Sequence, residues 1–415
     1  MTPEPERMFL KVCLSASGWP SVPPIGSGAT EYDVYGLGMA LAKLGNEVWL
    51  VDTSNEYQRN RKLDLSPLNL RKVWHPHANL ALLDHPSSAN LTHLVRQGTQ
   101  LSYSLFSISA FVRLIKERKI DILNIHHRYP GLSAYVARKL ALASTPLVFS
   151  SHTTLWIAER ISTKMRYFLF PETFCLRKAT RVTTVSKTLK QHIARNMVVP
   201  QCKISVIYNG VDSTVFSPGE EILHDETATS RRVILCVSNI EKRKNQEAII
   251  KTLPDVMKIF PNVQLLLIGK AVEPLYLKYL KDLCRALKVE QAVTFGGEIP
   301  MFELPRYIRE ADVAVVPTKL ESTIPRTLIE ALSCGKATLV SKIPTITEVV
   351  TKDVCAFADV EDTNEMSDAL LRLLTDGKYR KCLERNSRIF ALKNFDWVSI
   401  ARDYLKVYSN ALTVS

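Results

Sequence analysis

Short apolar runs alternate with amphipathic segments along most of the chain. In the first half, FLKVCLSA (9–16), EVWLVD (47–52), DILNIH (121–126), PLVFSS (146–151), RVTTVS (181–186) and KISVIY (203–208) read as strands. Between the first two, Val34, Leu37, Leu41 and Leu44 recur at i, i+3, i+7 and i+10, and Gly45 follows. That spacing predicts an amphipathic helix with a glycine stop. A further helix is expected over 101–118. Residues 55–100 are polar with scattered Pro and His, and carry no readable period.

The pattern breaks after SPG (217–219), where the acid-rich run EEILHDETATSRR (220–232) reads as a linker. A second alternation follows: strands at 233–238, 263–269, 292–297, 311–317 and 337–341, with helices expected at 245–259, 273–288, 301–310 and 326–334. The last segment, FDWVSIARDYLKVYSNAL (395–412), is an amphipathic helix in which Trp397 reads as a packing anchor. Strands alternating with helices predict an α/β fold on parallel sheets. At 415 residues the chain has room for two such domains, expected at 1–217 and 218–395 with 396–415 as a returning helix. Two doubly wound domains facing a cleft would bind ligands at the carboxyl ends of their strands.

Composition narrows the class. No apolar run approaches the ~18 residues of a membrane helix, and the N-terminus MTPEPERMFL lacks the basic patch and apolar core of a signal peptide. The eight cysteines are spread singly without a Cys-x-x-Cys pair, which argues against a zinc site or a disulfide framework and for a reducing cytoplasm. Without a secretory signal, the glycosylation acceptor Asn90-Leu91-Thr92 is expected to be idle. The net charge of +13 has two readings, a surface for anionic head groups at the inner face of a membrane or an ordinary solvated surface. No basic–aromatic stripe points to nucleic acid. The mixed basic and aromatic run RISTKMRYFLF (160–170) could rest on a membrane or line a cleft.

The segment richest in chemistry is LESTIPRTLIEALSCG (320–335), directly after the apolar strand ADVAVVP. A strand, a short loop and a helix N-terminus present unpaired backbone N–H groups and the positive end of the helix dipole to one point. Pro325 suits the first helical turn. Glu330 would then lie about one turn inside, within reach of hydroxyls on a ligand whose phosphates sit at the helix end. A diphosphate-linked sugar or nucleotide has that shape.

Several segments together resemble the nucleotide-sugar-dependent glycosyltransferases of family 4, over roughly residues 8–410. They are ATRVTTVSKTLKQHI (179–193), KISVIYNGVDSTVFSP (203–218), EKRKNQEAI (241–249), ADVAVVP, and IPRTLIEALSCGKATLVSKIPTITEVV (324–350). The resemblance implies the GT-B fold: two doubly wound Rossmann-like domains facing a cleft, the second holding a nucleotide diphosphate-sugar and the first an acceptor. It implies retention of anomeric configuration and no other cofactor. The acceptor would be a glycan, a lipid-linked sugar or a small molecule. Residue by residue, Glu330 matches the ribose-binding glutamate, Lys244 the diphosphate lysine, and Thr323 and Ile324, with Ser322 and Pro325 beside them, the phosphate-binding loop. Gly28 in GSGATEY matches the first glycine of an N-terminal loop, and His152 an active-site histidine. His126 and His127 end a strand at the acceptor side.

The chain also departs from that pattern. The family places a second glutamate eight positions before Glu330, which here is Ser322, with Glu321 one residue out of register. The arginine of a "G-R-L" context is Asn239 here. The second loop glycine is Ala29, and only 15 of 415 residues are glycine, about half the usual ~7%. One cationic clamp, Lys244, thus remains where two are usual, and a loop shift would let Glu321 recover the missing glutamate's role, which leaves His152, Lys244 and Glu321 as the catalytic candidates. Metal is not expected: the close acidic pair Asp359-x-Glu361 reads as a helix cap. Two rival readings stand beside a transferase: a non-catalytic binding or scaffolding module that kept the fold, and a nucleotide-sugar epimerase.

Overall fold

The computed structural model describes residues 9–24, 28–55, 64–76, 89–152, 163–219 and 231–414. The chain divides into two compact units, Met1–Tyr208 with Trp397–Ser415, and Asn209–Asp396. The division thus falls earlier than the boundary at 217 expected from sequence. Residues 209–217 go with the second unit because the Phe216 carbonyl accepts from Ser333 Oγ (2.7 Å) and Arg388 (3.0 Å).

In the first unit the order is β1 (Lys11–Ser15), α1 (Ala29–Lys43), β2 (Glu47–Thr53), β3 (Leu68–Val73), α2 (Ala89–Glu117), β4 (Ile122–Ile125) and α3 (Arg128–Ala141). Then come β5 (Leu147–Ser151), α4 (Thr163–Lys178), β6 (Arg181–Thr184), α5 (Lys187–Met197) and β7 (Ile204–Val206). All strand pairs are parallel, in the order β3-β2-β1-β4-β5-β6-β7. The central strands β4 and β5 are buried along their whole length. That burial on both faces is why their sequences are apolar runs rather than alternations.

The second unit runs β8 (Arg232–Val237), α6 (Gln246–Ile259), β9 (Val263–Ile268), α7 (Pro274–Leu287), β10 (Val293–Gly297), α8 (Leu304–Glu310) and β11 (Val313–Val316). It continues with α9 (Arg326–Ser333), β12 (Thr338–Ser341), the single turn α10 (Pro344–Thr347), β13 (Ala356–Ala358), α11 (Thr363–Thr375) and α12 (Gly377–Asn394). Its parallel sheet has the order β10-β9-β8-β11-β12-β13.

The last helix, α13 (Trp397–Leu412), belongs to the first unit. Its Ile400, Tyr404, Val407 and Tyr408 share a core with Leu37 and Leu41 of α1. The Trp397 ring lies so close to Gly36 that a Cβ there would fall 2.1 Å from its Cε2. Three polar side chains buried on the sheet, Asn124, Ser150 and Thr183, form a hydrogen-bonded row that ends on the hydroxyls of Tyr408 (2.6 Å) and Tyr404 (3.5 Å). Each satisfied pair contributes about 1 kcal/mol, and losing one partner costs more.

Three local expectations are corrected, and one helix, α3, was not expected from the sequence. Helix α2 begins at Ala89, not at 101. Helix α3, unheralded because of Pro130 and Gly131, forms because proline in the first turn forfeits no hydrogen bond. Its Gly131 admits the Cys175 sulfur, 2.6 Å from where a Cβ would stand. Pro325 is the N-cap of α9 rather than a residue of its first turn. Asp359 and Glu361 do not cap α11; Asp362 does, accepting from the amides of Asn364 (2.9 Å) and Glu365 (3.1 Å). Residues 163–170 of the mixed basic and aromatic run open helix α4, while the linker at 220–232 falls largely outside the described residues.

Candidate functional site

Each sheet has one place where the strand order reverses, and in an open parallel sheet that is where a crevice opens at the carboxyl ends of the strands. In the second unit it lies between β8 and β11. The loop after β8 carries Asn239 and Lys244, and the loop after β11 carries Glu321, Ser322, Thr323, Ile324 and Pro325 before α9 begins. The two loops are stapled by their main chains. Lys319 N donates to the Arg243 carbonyl at 2.8 Å, and Thr318 Oγ1 to the same carbonyl at 3.1 Å.

Their side chains meet on one carboxylate. Lys244 Nζ donates to Glu321 Oε1, Thr318 Oγ1 reaches the same oxygen at 3.1 Å, and Arg243 donates to Oε2 at 3.0 Å. Arg243 also pairs with Glu241 at 2.8 Å. Ser322, Ile324 and Pro325 are buried, Thr323 is half-buried and Asn239 is exposed. In place of a guanidinium at 239, Gln246 fastens the loop by donating to the Ser238 hydroxyl (2.9 Å) and the Asn239 carbonyl (2.8 Å).

Glu330 is 2% exposed on α9, whose residues Leu328–Ser333 are all buried. A carboxylate taken that far from water is costly unless it is bound. Gly269, just past β9, holds the neighbouring corner: its φ is 149° and a Cβ would sit 2.0 Å from the Ser238 carbonyl.

In the first unit the reversal lies between β1 and β4. Gly28 precedes α1 with φ 146°, a conformation side-chain-bearing residues avoid, and a Cβ there would crowd Pro24 and Glu31. His126 follows β4, His127 is the N-cap of α3, and His152 follows β5. His126 Nδ1 and His152 Nε2 are 3.0 Å apart, and His152 Nδ1 lies 3.6 Å from Asp33 Oδ2. His152 thus hydrogen-bonds His126 through one ring nitrogen and lies at ion-pair distance from Asp33 through the other. Burial, helped by His152, keeps His126 well below the ordinary imidazole range, and burial with Arg128 and Arg96 lowers His127 to about 3. Both rings are neutral near pH 7. His126 Nε2 finds no hydrogen-bond partner among the described residues.

Glu31, on the first turn of α1, receives the Ser17 hydroxyl. Burial raises its carboxyl to about 7, against the lowering pull of Ser17, its own amide and Arg96. The sequence expectations thus separate into two sets. Lys244, Glu321, Ser322, Thr323, Ile324, Pro325, Glu330 and Asn239 gather in the second unit, and Gly28, His126, His127 and His152 in the first. Sequence reasoning missed Arg243, Asp33 and Glu31. The basic cluster EKRK and the acidic pair in TEYD were the available signals.

Residues 30–215 match the family described as Glycosyltransferase Family 4, and residues 220–390 the family described as Glycosyl transferases group 1. The chain belongs to the family 4 glycosyltransferases. The two matches meet near the junction of the two units and together span most of the sequence. A relative from Methanocaldococcus jannaschii, described as an uncharacterized glycosyltransferase, is 22% identical over 94% of this chain and 96% of its own. A phosphatidylinositol N-acetylglucosaminyltransferase component from Arabidopsis thaliana is 22% identical over 94% of this chain and 80% of its own. Among solved structures, Anabaena HepE in complex with UDP-glucose superposes with a TM-score of 0.71 at 17% identity, over 96% of this chain and 99% of that one. The fold is that of the GT-B glycosyltransferases, with two parallel-sheet Rossmann-like domains. Among the described residues no helix is long and apolar enough to cross a membrane.

Proposed function

We propose that this glycosyltransferase moves a sugar from a nucleotide diphosphate donor to an acceptor hydroxyl, with the donor held in the second unit. The observation that carries this reading is the set of groups at the β8–β11 reversal: Lys244, the Ser322–Pro325 loop, and buried Glu330 on the helix that follows. When the sugar–phosphate bond breaks, negative charge develops on the leaving diphosphate. A lysine and oriented backbone amides stabilise that charge without rearranging, and losing one such donor typically costs ~3–4 kcal/mol in the transition state. Glu330 would accept hydrogen bonds from the ribose hydroxyls. In the first unit, His152, hydrogen-bonded to His126 at 3.0 Å, is the proposed catalytic group. We propose retention of configuration, and a glycan, lipid-linked sugar or small molecule as acceptor, the lipid-linked class being consistent with a peripheral contact at an anionic membrane from the cytoplasmic side.

The test is calorimetric binding of UDP, GDP and ADP to the purified protein, alongside Glu330→Ala and Lys244→Ala. UDP comes first because the HepE neighbour was solved with UDP-glucose. Binding of one nucleotide, weakened by both substitutions, supports the reading. No binding of any nucleotide to the folded wild type overturns it. A second reading, a binding module without turnover, is favoured by one observation: Lys244 is already engaged by Glu321. Nucleotide binding without consumption of any nucleotide-sugar, with or without acceptor, would select that module.

A further inference from the structure

Glu321 is held the way a phosphoryl group is held. Its Oε1 takes Lys244 Nζ and Thr318 Oγ1 (3.1 Å), and its Oε2 takes Arg243 (3.0 Å). The carboxylate is 8% exposed, while the Arg243 side chain is 41% exposed and that of Lys244 17%. Two cations and a hydroxyl thus converge from two loops on two oxygens of one anion, at the crevice of the sheet and just before the N-terminus of α9. Glu321 sits at the start of the Glu321–Pro325 loop, directly after exposed Leu320.

We infer that Glu321 is a resident anion occupying the seat of an incoming diphosphate, and that Arg243 is the second cation of that seat. This rests on the donor reading of the same loops. In the empty protein the carboxylate neutralises Arg243 and Lys244 and keeps both pointed at one place. A diphosphate brings more negative charge than one carboxylate and has more oxygens to share among the donors, so it displaces Glu321 and takes over both cations. The Arg243 end of the seat is 41% exposed, and an ion pair open to water there is weak, so the exchange begins from that side. Arg243 supplies the cationic partner that position 239, occupied by an exposed asparagine, does not. Its main chain is fixed from the opposite loop by Lys319 N (2.8 Å), and its guanidinium also pairs with Glu241 at 2.8 Å, a contact independent of Glu321.

The experiment compares wild type, Glu321→Gln, Arg243→Ala and Arg243→Lys by calorimetry with the nucleoside diphosphates and with inorganic pyrophosphate. Thermal melts accompany them to confirm that each variant is folded. Glu321→Gln keeps the shape of the side chain and removes its charge, and is expected to tighten both probes about fivefold. Arg243→Ala is expected to weaken them at least tenfold, with Arg243→Lys in between because it keeps charge but not the fork. Unchanged or weaker binding in folded Glu321→Gln overturns the resident-anion assignment, and unchanged binding in Arg243→Ala overturns the role of Arg243. Nucleotide binding that depends on Lys244 and Glu330 but ignores both new substitutions keeps the donor reading and removes this inference. Pyrophosphate binding that tightens in Glu321→Gln while no nucleoside diphosphate binds keeps the anion seat and removes the donor reading.

Discussion

Replacing Glu31 by glutamine should change how the stability of the first unit depends on pH. The side chain is 4% exposed, and burial raises its pKa from 4.5 to about 7. Over that interval the folded chain holds a proton that the unfolded chain has released. Stability from a raised pKa is fully present below the unfolded value, near 4.5, and is lost as pH climbs through the folded value, near 7. A gap of about 2.5 at about 1.4 kcal/mol each makes the loss about 3 kcal/mol. His126 and His127 act with the opposite sign: held neutral by burial, they withdraw stability as pH falls below the ordinary imidazole value of 6.5. The wild-type curve therefore mixes both trends, and the difference between wild type and Glu31→Gln isolates the carboxyl. Urea denaturation followed by tryptophan fluorescence reads the correct part of the molecule, because all five tryptophans, at 19, 49, 74, 156 and 397, belong to the first unit. The stability advantage of wild type over Glu31→Gln should shrink by about 3 kcal/mol between pH 4.5 and pH 7.5. A difference that stays flat across that range would refute the argument that Glu31 is protonated in the folded protein.

Two further substitutions probe the packing that holds the sites. Gly36→Ala places a methyl 2.1 Å from Trp397 Cε2 and must push α13 away from α1; the expected cost is about 1–3 kcal/mol, measured as a lowered melting temperature and faster proteolysis near residue 397. Asp312→Ala strands Arg232, which is 2% exposed and pairs with Asp312 at 3.3 Å; an unpaired buried charge costs about 3–5 kcal/mol. Circular dichroism should register that loss while tryptophan fluorescence should not, since residues 209–396 contain no tryptophan.

Most strands of both sheets, and the helix bearing Glu330, were readable directly from the chain, because burial on both faces of a parallel sheet writes apolar runs that polar loops interrupt. The exceptions follow the same physics. Strand β3 lies at a sheet edge and its middle four residues are exposed or half-buried, β13 has only three residues, and α3 opens with Pro130 and Gly131. Periodicity records how deeply a position is buried, and it does not record against what.

Lys244, Glu321 and Glu330 could be named from local motifs, yet nothing local says that Lys244 and Arg243 close on Glu321, 77 and 78 residues away. That meeting exists because β8 has β11 on one side as well as the next strand in sequence, β9, on the other. Asp33, on the helix after β1, comes near His152 for a related reason: in the first sheet β4 and then β5 lie beside β1. Asn124 likewise finds Tyr408 284 residues later, because α13 returns to the first unit. The local chain determined which residues are strand, helix or candidate ligand group. Only the order of strands in each sheet decided which charges share a crevice, since an ion pair is set by distance in space and strand order can place any two loops side by side.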